Sequence, residues 1–115
     1  MRQVYTLEDS SQSIPLSAWR EVYERAPTVI VASVASWDES SARMEALLDE
    51  IAQLYGARAP VLRVDVERDR ALANALRIQA VPTLRVYARG VVVCEVTGYL
   101  PFSVMHERIR DFLPE

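Results

Sequence analysis

The sequence predicts an α/β domain, with a central mixed β-sheet flanked by helices on both faces, in the order β-α-β-α-β-α-β-β-α. Three observations carry this. Short β-branched apolar runs alternate along the chain with longer stretches whose apolar residues recur every three to four positions. The early strand candidates are separated by helical stretches, so they connect by crossovers and run parallel. The last two strand candidates are separated only by Ala88-Arg-Gly90, which reads as a hairpin turn and adds antiparallel strands at one side.

Val4-Tyr-Thr-Leu7 is a short strand candidate, and Asp9-Ser-Ser-Gln-Ser13 a polar connection. Leu16 to Arg25 reads as a helix, with Leu16, Trp19, Val22 and Tyr23 on one face and Pro27 at its end. Val29 to Ala35 is apolar on both faces, as a central parallel strand requires. Ser40 to Tyr55 is the long helix, with Met44, Leu47, Leu48, Ile51 and Leu54 as its apolar stripe and Gly56 in the stop position. Pro60 to Val66 alternates as a strand, and Arg70 to Leu76 is a shorter helix. Thr83 to Tyr87 and Val91 to Thr97 are the hairpin strands, and Gly98 breaks the second. Val104 to Leu113 closes the chain as a helix, with Met105, Ile109, Phe112 and Leu113 apolar.

The 115 residues make one domain, spanning 1–115, with half of them apolar. That is enough to bury a core without staples. The single cysteine, Cys94, excludes an internal disulfide. The formal charge is −3, and all thirteen basic residues are arginines scattered along the chain. This balance argues against nucleic acid or a membrane surface as partner. The absence of lysine excludes lysine-activated chemistry. No stretch reads as a signal peptide or a membrane span, so the expected location is cytoplasmic.

Several local motifs fall in a recognisable order. Trp37 closes the central strand, and four residues, Asp38-Glu39-Ser40-Ser41, lead into the long helix. Val64-Asp65-Val66-Glu67 ends a strand in acidic residues. Arg77-Ile78-Gln79-Ala80-Val81-Pro82-Thr83-Leu84 precedes the hairpin, with Val86-Tyr87-Ala88-Arg89-Gly90 and Val96-Thr97-Gly98 after it. From Pro27 onward this pattern resembles the thioredoxin family. The resemblance implies the thioredoxin fold and a cis peptide bond at Val81-Pro82. It also implies a shallow groove for an extended peptide, lined by Trp37, Val66, Ala80, Val81, Pro82, Gly98 and Tyr99.

The departures decide the expected function. Where the family carries Cys-Gly-Pro-Cys, Asp38 stands in place of the nucleophile and Ser41 in place of the resolving cysteine. Ala32 stands where the family keeps a buried aspartate, and Ala46 where many members have a helix-kinking proline. Neither carboxylate nor hydroxyl can exchange with a disulfide. Positions 37–41 therefore read as a degenerate active site. There Asp38 or Ser40 caps the helix, and no base in the sequence is placed to activate Ser41.

The expected function is a redox-inactive thioredoxin-like protein, acting as adaptor, scaffold or chaperone-like factor on another protein or peptide segment. A faint similarity to phosducin-like domains lies in Leu84-Arg-Val-Tyr-Ala-Arg-Gly90. Two alternatives stand beside it. One is an atypical thiol enzyme using Cys94, which otherwise reads as a small hydrophobe in a strand. The other is a homodimer through the apolar surface around Trp37. No cofactor is expected. No metal site is expected either: His106 is the only histidine and is expected on a solvated face. Asp65, Glu67 and Asp69 read as a strand end and a helix cap rather than a cation loop.

Overall fold

The computed structural model describes residues 4–6, 21, 22, 24 and 26–115. Five strands form one sheet: β1 (Val4–Thr6), β2 (Val29–Val34), β3 (Val61–Asp65), β4 (Thr83–Ala88) and β5 (Val91–Thr97). Their spatial order is β1-β3-β2-β4-β5. The β1–β3 and β2–β3 pairs are parallel, and the β2–β4 and β4–β5 pairs antiparallel. β2 sits at the centre, and every residue of it is buried. Its run of apolar residues without alternation is the signature of a strand covered on both sides.

The helices that can be given bounds among the described residues are α1 (Glu39–Tyr55), α2 (Arg70–Ala75) and α3 (Phe102–Ile109), the last continued by a 3₁₀ turn at Arg110–Phe112, and they pack on the sheet. One core lies between the sheet and α1 with α3. Met44, Leu48, Ile51, Met105 and Ile109 meet Ile30, Ala32, Leu84 and Val86 there. The opposite face carries a smaller core, where Leu72 and Ala73 of α2 and Leu76 just after it meet Val29, Val31, Leu62, Val64 and Tyr87. Val22 packs against this second core, and Glu21, Val22 and Glu24 are helical. Helices thus cover both faces. The rest of the expected Leu16–Arg25 helix, Leu7 and the Asp9–Ser13 connection lie outside the described residues.

Several boundaries and faces differ from the sequence reading. α1 begins at Glu39 because Asp38, not a later serine, is the residue that caps it. Leu54 is 47% exposed, while Ala52 and Tyr55 are buried in its place. The stripe turns with the 3.6-residue period, so by the last turn position 55 rather than 54 faces the sheet. α3 starts at Phe102 and ends at Ile109. Phe112 lies beyond it in the 3₁₀ turn and is 44% exposed. The hairpin turn is the two residues Arg89 and Gly90, both at positive φ (49° and 85°). That is the pairing a two-residue turn needs to match strand twist.

Two arginines are buried in the sheet. Arg63 of β3 lies beside Ala32 of β2 and reaches α1. Its Nη2 donates to Asp49 at 2.9 Å. Its Nε sits 2.7 Å from Glu45 Oε1 without the alignment of a hydrogen bond, so that contact is an ion pair only. Arg85 of β4 lies on the opposite face, next to Val31. Among the described residues no helix is long and apolar enough to cross a membrane.

Candidate functional site

Trp37 and Asp38 lie in the loop between β2 and α1, and Glu39, Ser40 and Ser41 form the first turn of α1. The junction is closed by hydrogen bonds of Asp38 and Ser41. Asp38 adopts extended backbone geometry and stands at the N-cap of α1. Its Oδ2 accepts from the Ser41 N–H at 2.8 Å. Its own N–H donates to the Ala35 carbonyl at 3.1 Å. Ser41 is buried, and its Oγ accepts from the Ala35 N–H at 3.0 Å. The carboxylate thus satisfies a helix donor left without an intrahelical partner, at the positive end of the helix. The hydroxyl satisfies a second donor in the loop. Asp38→Ala is expected to cost about 1 kcal/mol of stability, read by urea denaturation. A loss below about 0.3 kcal/mol would remove the cap from this account. Glu39 is exposed and Ser40 half-buried, and neither makes the cap.

Beside this loop runs an open groove of about 550 Å³, lined by Trp37, Asp38, Val66, Ile78, Gln79, Ala80 and Val81. Trp37 is 67% exposed, the most exposed large apolar side chain among the described residues. The Val81–Pro82 peptide bond is cis. Of the seven expected groove residues, the fold brings Trp37, Val66, Ala80 and Val81 together. The other three are not part of this lining. Pro82 is buried beneath the loop, and its carbonyl accepts from the Gly98 N–H at 2.8 Å. Gly98 follows β5 at a positive φ of 95° and is half-buried. Tyr99 packs against the α1–α3 core instead of the groove. Val81 is half-buried. Asp38, Ile78 and Gln79 were not expected in the lining. Ile78 and Gln79 stand within the motif that ends in Pro82, so extending the groove backwards along that motif would have found them.

The strand-proximal wall is held by Arg85, which is 9% exposed. Its Nη1 donates to the Leu76 carbonyl at 2.5 Å and the Tyr87 hydroxyl at 3.1 Å. Its Nη2 donates to the Arg77 carbonyl at 3.1 Å, and its Nε to Glu95 Oε2 at 2.7 Å. Burial pulls the guanidinium's pKa down, but the hydrogen bonds to Glu95 and Tyr87 outweigh it and hold the pKa above the ordinary value. The carbonyls it binds lie where α2 ends and the chain turns towards Val81, so Arg85 anchors the backbone that leads into the groove.

The remaining candidates resolve into structural roles. Cys94 is half-buried against the α1–α3 core, and its Sγ lies 4.0 Å from the Arg108 carbonyl. Burial pushes its thiol above the ordinary pKa, and Arg108 pulls it only partly back. A thiol in that setting is a poor nucleophile at neutral pH. His106 is not on a solvated face. It is half-buried, 2.7 Å from the Tyr55 hydroxyl and stacked on Phe102, because α3 crosses the end of α1 there. Asp65 Oδ1 accepts from the N–H groups of Glu67 and Arg68, a turn after β3. Asp69 stands at the start of α2 without a side-chain cap bond, and burial raises its carboxyl above the usual range. A second hollow of about 560 Å³ lies on the far side of the α1 N-terminus, walled by Ser41, Glu45, Asp65 and Glu67 among others. Ser41, Glu45 and Asp65 already serve the cap, Arg63 and the turn.

A family model described as Thioredoxin matches residues 13–111. Thioredoxin 1 of Synechococcus elongatus is 30% identical over 94 residues, covering 82% of this chain and 88% of that protein. The chloroplastic thioredoxin Y of Oryza sativa is 26% identical over 113 residues, covering 97% of this chain and 67% of that protein. Among solved structures, a mutant thioredoxin from Halobacterium salinarum superposes with a TM-score of 0.78 at 23% identity, over 98% of this chain and 93% of that one. The thioredoxin from Trypanosoma brucei brucei does so with a TM-score of 0.79 at 15% identity, over 96% and 91%. At those identities the structural likeness speaks for the fold.

Proposed function

The chain belongs to the thioredoxin family, and from that premise we propose that it is a redox-inactive member that works by binding an extended segment of another protein, as an adaptor or chaperone-like factor. The relatives' names are those of thioredoxins, and the fold around the site is theirs. The observation that carries the proposal is local. At the two positions where the family's redox pair would stand, Asp38 and Ser41 spend their side chains closing the helix N-terminus. A carboxylate and a hydroxyl cannot form the mixed disulfide through which thiol exchange runs. What survives is the recognition surface: exposed Trp37, the apolar floor of Val66, Ile78 and Val81, and the Gln79–Val81 backbone beside it. Such a surface can take a peptide by backbone pairing and side-chain pockets without any thiol.

The reading in which Cys94 supplies a thiol enzyme has less support. The sulfur lies on β5 beside α3, away from the groove lining, and its pKa moves in the wrong direction.

The test has two arms. Wild-type protein, purified free of host thioredoxin, is expected to reduce insulin disulfides no faster than dithiothreitol alone. Affinity capture with wild-type and Val81→Asp baits, read by quantitative mass spectrometry, is expected to identify a partner whose recovery falls at least about tenfold with the variant. An aspartate there must be desolvated whenever an apolar ligand closes the groove. Reductase turnover by the wild type would end the redox-inactive reading. A partner retained equally by both baits would move the interface off the groove.

A further inference from the structure

We propose that the groove selects segments in which an apolar anchor is flanked on one side by acidic residues, and that Arg77 is the residue that reads them. This rests on the groove-binding reading above and names the chemistry of its ligand.

The groove does not end at Gln79 and Ala80. The same two residues wall a second, polar hollow of about 330 Å³, lined also by Arg77, Thr83, Arg85, Glu95 and Thr97. A short extended segment lying across Gln79 and Ala80 therefore covers both at once. A strand advances about 3.3 Å per residue, so two or three residues suffice to pass from one to the other. The hollow's charges do not cancel. Arg85 and Glu95 neutralise each other at 2.7 Å. Arg77 is exposed, and among the described residues its guanidinium has no hydrogen-bond or ion-pair partner. Asp38 lines the groove but not this hollow. The surface thus carries an acid in the groove and a base in the adjoining hollow. A docked segment with carboxylates towards Arg77 is attracted, and one with carboxylates towards Asp38 is repelled.

The backbone at Arg77 is fixed by the end of α2. It holds a φ of +57°, a left-handed conformation that glycine or asparagine adopts with less strain than an arginine. Its N–H donates to the Asn74 carbonyl and the Ile78 N–H to the Ala73 carbonyl, the usual left-handed turn that closes a helix C-terminus. Its carbonyl accepts from Arg85 as well. The turn fixes where Arg77 stands and leaves its charge in the hollow.

The experiment uses three fluorescein-labelled peptides built on a central Leu-Val-Phe: one with two aspartates before it, one with two aspartates after it, and one with serines at all four places. Binding is read by anisotropy at low ionic strength. Wild-type protein is expected to bind one of the acidic peptides about threefold more tightly than the serine peptide, and that margin is expected to shrink with added salt. Arg77→Gly and Arg77→Asn are expected to bring the ratio to about one, with melting temperatures no lower than wild type because the backbone strain is relieved. Equal binding of all three peptides by wild type, or an acidic preference that survives in both variants, would overturn this proposal and leave groove binding standing. Failure of wild type to bind any of them would remove the groove reading itself, and this proposal with it.

Discussion

Cysteines placed together at positions 38 and 41 should give this chain a disulfide reductase activity. The side chain at 38 receives the Ser41 N–H at the first turn of α1. A thiolate there would sit at the same donor and at the positive end of a 17-residue helix. If that field lowers a cysteine from its usual pKa of about 8.5 to about 7, its thiolate share at pH 7 rises from about 3% to about half. The side chain at 41 is one turn into the helix and already buried within reach of the Ala35 N–H, where a resolving thiol is shielded until the mixed disulfide forms. Trp37 and Val81 line the groove beside position 38. In the insulin turbidity assay the double variant is expected to exceed the dithiothreitol background by roughly tenfold, in line with the thiolate gain. It should remain slower than an ordinary thioredoxin, because Ala32 is fully buried and supplies no proton-accepting group beneath the pair. Without added dithiol, Asp38→Cys alone should form a mixed disulfide and stall, since this variant has no thiol at position 41 to resolve it. A double variant with native circular dichroism and no exchange activity would show that positions 38 and 41 are not where the family's pair would stand.

Most of the fold was legible because its signals are local or periodic. β2 announced itself by a near-continuous apolar run interrupted only by Ser33, α1 by its stripe, and the hairpin by Ala88-Arg-Gly90. The reading of positions 38 and 41 as a replaced pair rests only on the order of motifs around Trp37; the cap that Asp38 makes was one of the two readings the sequence offered. What escaped was whatever depends on which face a residue meets after folding. His106 has the composition of a surface histidine, and only the crossing of α3 over the end of α1 sets it against Tyr55 and Phe102. Tyr99 follows Gly98 closely enough to be placed in the groove, yet the turn at Gly98 sends it to the other core. Arg85 was invisible as a structural residue. On β4 it alternates with Leu84 and Val86, which hides that its face is covered by α2. An arginine within an otherwise apolar central strand is a signal of this kind, but it does not say what the charge meets.

Arg85→Leu is accordingly expected to be the most destabilising polar substitution on this face, by about 3 kcal/mol, and to lower the melting temperature by roughly 10 °C. Replacing a buried ion pair by apolar residues is often harmless, because both partners leave together. Here that escape is closed. Two of the four groups Arg85 satisfies, the carbonyls of Leu76 and Arg77, stay behind in the variant. The two carbonyls are backbone and cannot be mutated away. Glu95, by contrast, has a half-exposed side chain, so water can replace its bond to Arg85. Glu95→Gln should therefore cost well under about 1 kcal/mol, and adding Glu95→Leu to Arg85→Leu should not restore stability. The damage should also be directional. Ile78, whose N–H donates to the Ala73 carbonyl, begins the groove lining directly after the two carbonyls Arg85 holds. Amide exchange at Ile78–Ala80 is expected to accelerate more than exchange in β2, which Arg85 does not hydrogen-bond. Urea denaturation with site-resolved hydrogen exchange separates the outcomes. A uniform rise in exchange across β2 and residues 78–80 would mean that Arg85 serves global stability alone. A variant within about 1 kcal/mol of wild type would mean that the loop carbonyls find other donors, and that the groove wall does not depend on this arginine.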